Sequence, residues 1–353
     1  MITVNSLSGG KTSSFMAIHF PADHELFACV EQEAIYWTNK ERMSDEWERI
    51  KYKRRDAHLW LFGFNNDFIC SAEDDRTLIA LHQLSYELAT DNKGRRRPQN
   101  GKIEVVFARD YPQLKFKTYD DIVKEFLPND RTRICTQKLK VFPIYYKVRQ
   151  DISHTDPVEM RIGFRLDELD RTVNLYFKVV DIKNRLPHPN FDLQTVINDL
   201  KIPDYIVKWW DIMDVEGMVR RGERALKPMP FNYMENDYYR VPSFPLIEAG
   251  VTKADIVKYW SQRPEYDFPP ISNCTMCFHH TVKELQQLWR DPLAIAKMRW
   301  AREAEAMRGH TFKRHSVNGK SRPMSMQYIL DLPLQTQLEF IDYASCDAGS
   351  CTD

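Results

Sequence analysis

Apolar positions in this chain fall in short runs separated by charged, helix-spaced segments, and that alternation predicts its layout. Ile2 to Leu7 is a run of strand length, delivered into Ser8-Gly9-Gly10-Lys11-Thr12-Ser13-Ser14 and then a helical Phe15 to Ile18. Leu26 to Val30 reads as a second buried strand. From Glu31 to Asn100 the pattern is helical and charged, clearest over Trp47 to Arg55 and Leu78 to Leu88, and it ends in the basic loop Lys93-Gly94-Arg95-Arg96-Arg97-Pro98. Ile103 to Ala108 predicts a strand, Tyr119 to Leu127 a helix, Arg133 to about Arg149 another helix, and Val158 to Phe164 a strand.

The period is lost between residues 172 and 234, where a β-pair over Val173 to Val180 and the aromatic pair Trp209-Trp210 are the only marks, so this stretch reads as an insertion. Order returns at Pro242 to Ile247. Thr252 is placed to cap a short helix ending at Trp260, and Val282 to Met307 predicts a long helix bent at Pro292. Strands alternating with helices predict an α/β fold, a doubly wound and mainly parallel sheet with a helical C-terminal region, binding ligands at the carboxyl ends of its strands. The expected division is a nucleotide-binding domain over 1–260, with insertions near 31–100 and 172–234, followed by 261–353.

Composition narrows the partners. The 353 residues carry 50 Lys plus Arg against 50 Asp plus Glu, so no global basic field announces a nucleic acid or a membrane, although the Arg95 to Arg97 loop leaves a nucleic-acid substrate open. No apolar run approaches the roughly 20 residues that span a bilayer, and the first residues lack a signal-peptide layout, which predicts a cytoplasmic protein without a membrane partner. Seven cysteines are an odd number for a disulfide framework. Cys29 and Cys70 sit in apolar surroundings and read as core; Cys135, the pair Cys274-x-x-Cys277, and Cys346 and Cys351 near the end are candidates for metal binding or redox chemistry.

The opening loop carries the chemistry. Two glycines allow a tight turn with outward N–H groups, and the hydroxyls of Ser8, Thr12, Ser13 and Ser14 converge with the Lys11 ammonium where a helix begins, a setting made for phosphate. A Walker A loop would place its first glycine at Asn5, inside the apolar run. Ser8-Gly9-Gly10-Lys11-Thr12-Ser13 instead resembles the S-G-G-x-[DT]-S pyrophosphate loop of the ATP pyrophosphatase (PP-loop) superfamily, with Thr12 at the position where Asp is usual. Valine at Gly9 is then expected to abolish phosphate binding while the fold survives.

With the segment at Cys135, Ile162-Gly163-Phe164-Arg165 with Asp167-Glu168 and Arg171, Phe244-Pro245-Leu246-Ile247 leading to Asp255-Ile256, and Cys274-x-x-Cys277, the loop forms five blocks. Their order resembles the phosphoadenosine phosphosulfate (PAPS) and adenylyl-sulfate reductase family, in a divergent form similar to those of phages and mobile elements. Arg165 and Arg171 could reach phosphate or sulfate oxygens while Asp167 and Glu168 hold the guanidinium forks; Lys11, Lys138 and Lys140 would add charge at the same mouth. The resemblance implies a 4Fe–4S cluster on Cys135, Cys274 and Cys277, although Ile134-Cys135 replaces the family's Cys-Cys pair. Zinc completed by His279 or His280 is the other metal that this ligand set allows.

Three functions follow from the resemblance. In the first, ATP bound at Ser8 to Ser13 adenylates an acceptor with release of pyrophosphate, and sulfur from a cluster or a cysteine displaces AMP. In the second, PAPS or adenylyl sulfate is itself the substrate and is reduced to sulfite. The third is a nucleotide-binding regulator or defence-associated subunit without turnover. Lys11, Arg165, Arg171, Cys346 and Cys351 are the implied catalytic residues, although the family's C-terminal Glu-Cys-Gly-(Ile/Leu)-His motif is absent. The implied cofactors are ATP or an adenylyl sulfate, the 4Fe–4S cluster and Mg2+; the implied partner is a sulfur donor, either a cysteine desulfurase or a thiol reductant, and oligomerisation stays open.

Overall fold

The opening apolar run forms strand β1 (Thr3–Leu7), and the helix behind the glycines is α1 (Lys11–His19). The computed structural model describes residues 1–63, 68–89, 103–129, 134–172, 202–210, 239–317 and 320–332. Four further strands join β1 in one sheet: β2 (His24–Cys29), β5 (Ile103–Phe107), β6 (Val158–Arg161) and β7 (Arg240–Ser243). The order is β5-β2-β1-β6-β7 and every pairing is parallel. This is the predicted α/β architecture, compatible with double winding.

Alternation along β2 shows why both faces of the sheet must be covered. Leu26 and Ala28 enter one apolar core with Val4, Val106, Val158 and Met160, whereas Phe27 and Cys29 enter a second with Leu7, Ala17, Ile79 and Ile103. The first core also takes Met276, Leu285, Met298, Phe312 and Met326, so residues beyond 260 pack into the same interior as the sheet. Cys29 is core, as expected.

Several expectations need correction. The stretch 31–100 is not wholly helical: β3 (Glu31–Tyr36) and β4 (Phe68–Ser71) form an antiparallel pair flanking α2 (Asn39–Arg42) and α3 (Asp45–Phe62), and α4 (Asp75–Ala89) follows β4. The expected helix at 282–307 is two helices, Val282–Leu288 and Ile295–Arg308; Pro292 lies in the break, where it has no amide to donate and the Asp291 carboxylate takes the Leu293 amide instead. The C-terminal region is not purely helical either, since β8 (Lys313–Val317) and β9 (Lys320–Met324) make a hairpin. The expected β-pair at 173–180, the Arg95 to Arg97 loop, Cys346 and Cys351 lie outside the described residues.

Caps and inserts hold these elements in place. The Asp255 carboxylate accepts from both the amide and the hydroxyl of Thr252, at 2.9 and 2.6 Å, closing a capping box on the helix Lys253–Ser261. Trp210, at the end of the helix Asp204–Trp210, is buried and donates its indole N–H to Thr172 Oγ1 at 3.1 Å.

Two polar side chains sit inside the sheet. Glu25, 1% exposed, accepts from the Asn5 amide at 2.8 Å and from the Ala22 backbone at 3.0 Å. Burial outweighs these bonds and pushes the Glu25 carboxyl up to about 7. A carboxyl raised on folding favours the native state fully below its unfolded value, and that contribution is lost as pH rises through about 7. Glu25→Gln is therefore expected to lose less stability than the native chain between about pH 5 and about pH 8, read from urea midpoints at the two values.

Candidate functional site

The strand order turns back at β1, with β2 and β5 on one side and β6 and β7 on the other, so a crevice is expected between the carboxyl ends of β1 and β6. The Gly-rich loop leaves β1 there, and the segment 162–168 leaves β6 beside it. They touch: Arg165 donates from Nη1 to Thr12 Oγ1 at 3.1 Å, and a Cβ on Gly163 would stand 3.6 Å from the Ser13 backbone.

The loop is tied to itself by its own hydroxyls. Ser13 Oγ lies 3.0 Å from Ser8 Oγ, accepts the Ser8 amide at 3.2 Å and donates to the Gly10 carbonyl at 3.2 Å. Gly10 precedes α1 and no side chain caps that helix, which leaves its first-turn amides to whatever binds there. The Lys11 ammonium is half-buried and makes no ion pair or hydrogen bond among the described residues, while the Lys11 carbonyl accepts the Trp260 indole at 2.8 Å. Ser14 Oγ and Thr77 Oγ1 are buried beside the loop without a hydrogen-bond partner among the described residues.

Gly9 has φ +80, and a Cβ there would overlap Thr77 Cγ2 and stand 3.0 Å from Leu81 Cδ1. The expectation that valine at Gly9 spares the fold is thus corrected: the glycine is also where α4 packs on the loop.

Arg165 and Arg171 are held by the predicted acids. Arg165, 3% exposed, contacts Asp167 at 3.1 Å and Glu168 at 3.5 Å, while Arg171 meets Glu168 at 2.9 Å and lies over the Phe164 ring at 4.2 Å. Thr12 serves as the acceptor for Arg165. The lysines part company: Lys138 lies over the Phe142 ring at 4.4 Å, with burial lowering its ammonium, and Lys140 goes to the cysteines.

Cys135, Cys274 and Cys277, from two segments far apart in sequence, line one cavity of about 50 Å3. On a scale where one water needs about 10–15 Å3, it takes a compact group and excludes a nucleotide. Val30, Ala72, Met276 and Phe278 make its apolar wall; Tyr119, Thr136, Lys140 and His279 complete it. Lys140 Nζ stands 3.8 Å from Cys274 Sγ and 3.0 Å from Glu73 Oε1. Burial pushes the Tyr119 hydroxyl well above its usual range, and the three thiols push it the same way. Cys135 lies in the first turn of a helical run over residues 134–152 that contains π-type turns at Gln137–Val141 and Val148–Ile152. Among the described residues, no three of His, Cys, Asp and Glu converge on one point as a single ion would require. The thiols are spread around a space instead.

A clip joins this cavity to the loop. Asn273 donates from Nδ2 to the Ser8 carbonyl at 2.8 Å, Cys274 forms an antiparallel bridge with Glu73, and the Asp74 amide bonds the Asn273 carbonyl at 2.6 Å. The segment Ser71 to Arg76 was missed in the sequence, where it passed as part of a charged helical stretch. Glu73 is wholly buried and accepts from the Val30 amide at 3.3 Å and from the Ser71 hydroxyl. Behind it Asp75 bonds Arg54 and Lys297, and Arg76 bonds Asp74 and Asp291. Burial alone would raise the Asp75 carboxyl, yet Lys297 and Arg54 hold it well below the usual carboxylate range. Its one local signal was three consecutive acids directly after a small-residue pair.

Comparison with models of known families, with curated proteins and with solved structures found no match for this chain. Among the described residues no helix is long and apolar enough to cross a membrane.

Proposed function

We propose that this chain is an adenine-nucleotide enzyme of the PP-loop type that transfers sulfur to an acceptor activated by ATP, with a 4Fe–4S cluster on Cys135, Cys274 and Cys277. The observation that carries this reading is the meeting of two chemistries: a Gly-rich loop at the sheet's switch point and a three-thiol cavity, joined by the Asn273 to Ser8 hydrogen bond. The donor set fits the cluster. Three thiols in a mostly apolar wall, with an ammonium 3.8 Å from one sulfur, suit an anionic sulfur-rich group. When bound, such a cluster supplies iron at which sulfur can be carried.

The chain's own residues do the rest. The first-turn amides of α1 and the Lys11 ammonium bind the phosphates, with Mg2+ arriving as part of the substrate. Arg165, fixed by two carboxylates, keeps Thr12 and so the first turn of α1 in place without reorganisation during the reaction.

Incubation with ATP, sulfide as the sulfur donor and candidate acceptors is expected to yield AMP and pyrophosphate in equal amounts, in step with a thiolated product. ADP with orthophosphate would overturn the reading in favour of a Walker-type loop. Sulfite made from PAPS or adenylyl sulfate while ATP stays intact would establish the reductase instead, and nucleotide binding without turnover the regulator.

A further inference from the structure

The function proposed above leaves the cluster's fourth ligand unassigned, and the cavity itself offers one. Besides the three cysteines its polar lining is Tyr119, Thr136, Lys140 and His279. Lys140 is committed to the buried Glu73 carboxylate at 3.0 Å. A phenol or an alcohol must give up a proton to ligate iron, whereas a neutral imidazole ligates as it stands. The neighbouring imidazole is placed elsewhere: His280 is wholly buried, its Nε2 bonds Ser272 Oγ, its amide bonds the Cys277 carbonyl at 3.1 Å, and its carbonyl accepts from Lys313 at 2.6 Å. Those bonds fix the turn after Cys277 so that His279, with the Phe278 ring 4.4 Å from its own, is the imidazole that lines the cavity.

We infer that His279 is the fourth ligand of the cluster held by Cys135, Cys274 and Cys277, so that the remaining iron carries a neutral, exchangeable imidazole. The inference rests on the function proposed above. It gives that function a resting state: a neutral nitrogen donor is displaced by an incoming thiolate or sulfide more readily than a fourth cysteine would be.

The test is spectroscopic and needs no activity. Protein made anaerobically with 15N-histidine in a 14N background is reduced with dithionite and read by pulsed electron paramagnetic resonance. A strong nitrogen coupling that changes isotope with the labelled histidine, and is lost in His279→Ala at unchanged iron and sulfide content, is the expected result. Should the alanine variant fail to retain a cluster, His279→Cys is expected to keep full iron and lose the coupling. A cluster without histidine coupling, or a coupling that persists in either His279 variant, overturns the assignment and leaves the cluster standing. A native chain without iron overturns the cluster reading and this assignment together.

Discussion

Cys274→Ser, purified without oxygen, is expected to be colourless, and the native chain is expected, on the proposed function, to be brown with about four irons and four sulfides. The serine oxygen would have to be an alkoxide to replace the thiolate, and Lys140, the ammonium 3.8 Å from this sulfur, is already shared with Glu73. The rest of the fold keeps its ties, because the Cys274 segment is held through backbone bonds and the Asn273 side chain. Iron should therefore vanish with little change in helical signal. Cys29→Ala is the control, since that thiol belongs to the second core, does not line the cavity and should leave iron untouched. One zinc per chain and no iron in the native protein would refute the cluster.

The second large effect separates the two jobs of the opening loop. On the proposed nucleotide reading, Lys11→Ala removes a charge-assisted contact to phosphate worth about 1.5–3 kcal/mol, so ATP affinity is expected to fall roughly 10- to 150-fold with an unchanged melting point. Gly9→Val acts on the fold instead. A left-handed φ costs a side chain about 1–2 kcal/mol and an overfilled contact with Thr77 and Leu81 about 1–3 more, against a total stability of about 5–15 kcal/mol. Its melting point should drop by many degrees. Calorimetry with ATP on both variants decides the matter: native affinity in Lys11→Ala would remove the phosphate from this loop.

What the sequence announced was local. An apolar run feeding two glycines and a helix is a signal contained in fourteen residues, and it placed Ser8 to Ser13 correctly at the end of β1. The spacing of Cys274 and Cys277 and the alternation of Arg165, Asp167, Glu168 and Arg171 are also short-range patterns, and each of these groups is found together in space. The antiparallel pair β3–β4 was invisible because its partners are separated by the whole of α3, and the polar opening Glu31-Gln32-Glu33 has no strand period of its own. Glu73 was hidden for a related reason. A fully buried carboxylate is recognisable only once Lys140, Ser71 and the Val30 amide are seen around it. The packing role of Gly9 depended likewise on Thr77, which the chain reaches only through the missed strand β4.

The bond from Asn273 to Ser8 spans 265 positions of sequence. On the ribosome, β1 and its loop emerge first, yet the partner that fixes the Ser8 carbonyl is made roughly 13–50 s later at synthesis rates of about 5–20 residues per second. During that interval β6, with Arg165, and α4, with Thr77, also arrive in turn. The growing chain thus exposes its Gly-rich loop long before the segments that pack on it exist, and the cysteines become competent to meet only when synthesis has passed residue 277. Nascent chains released early would carry the loop without the site.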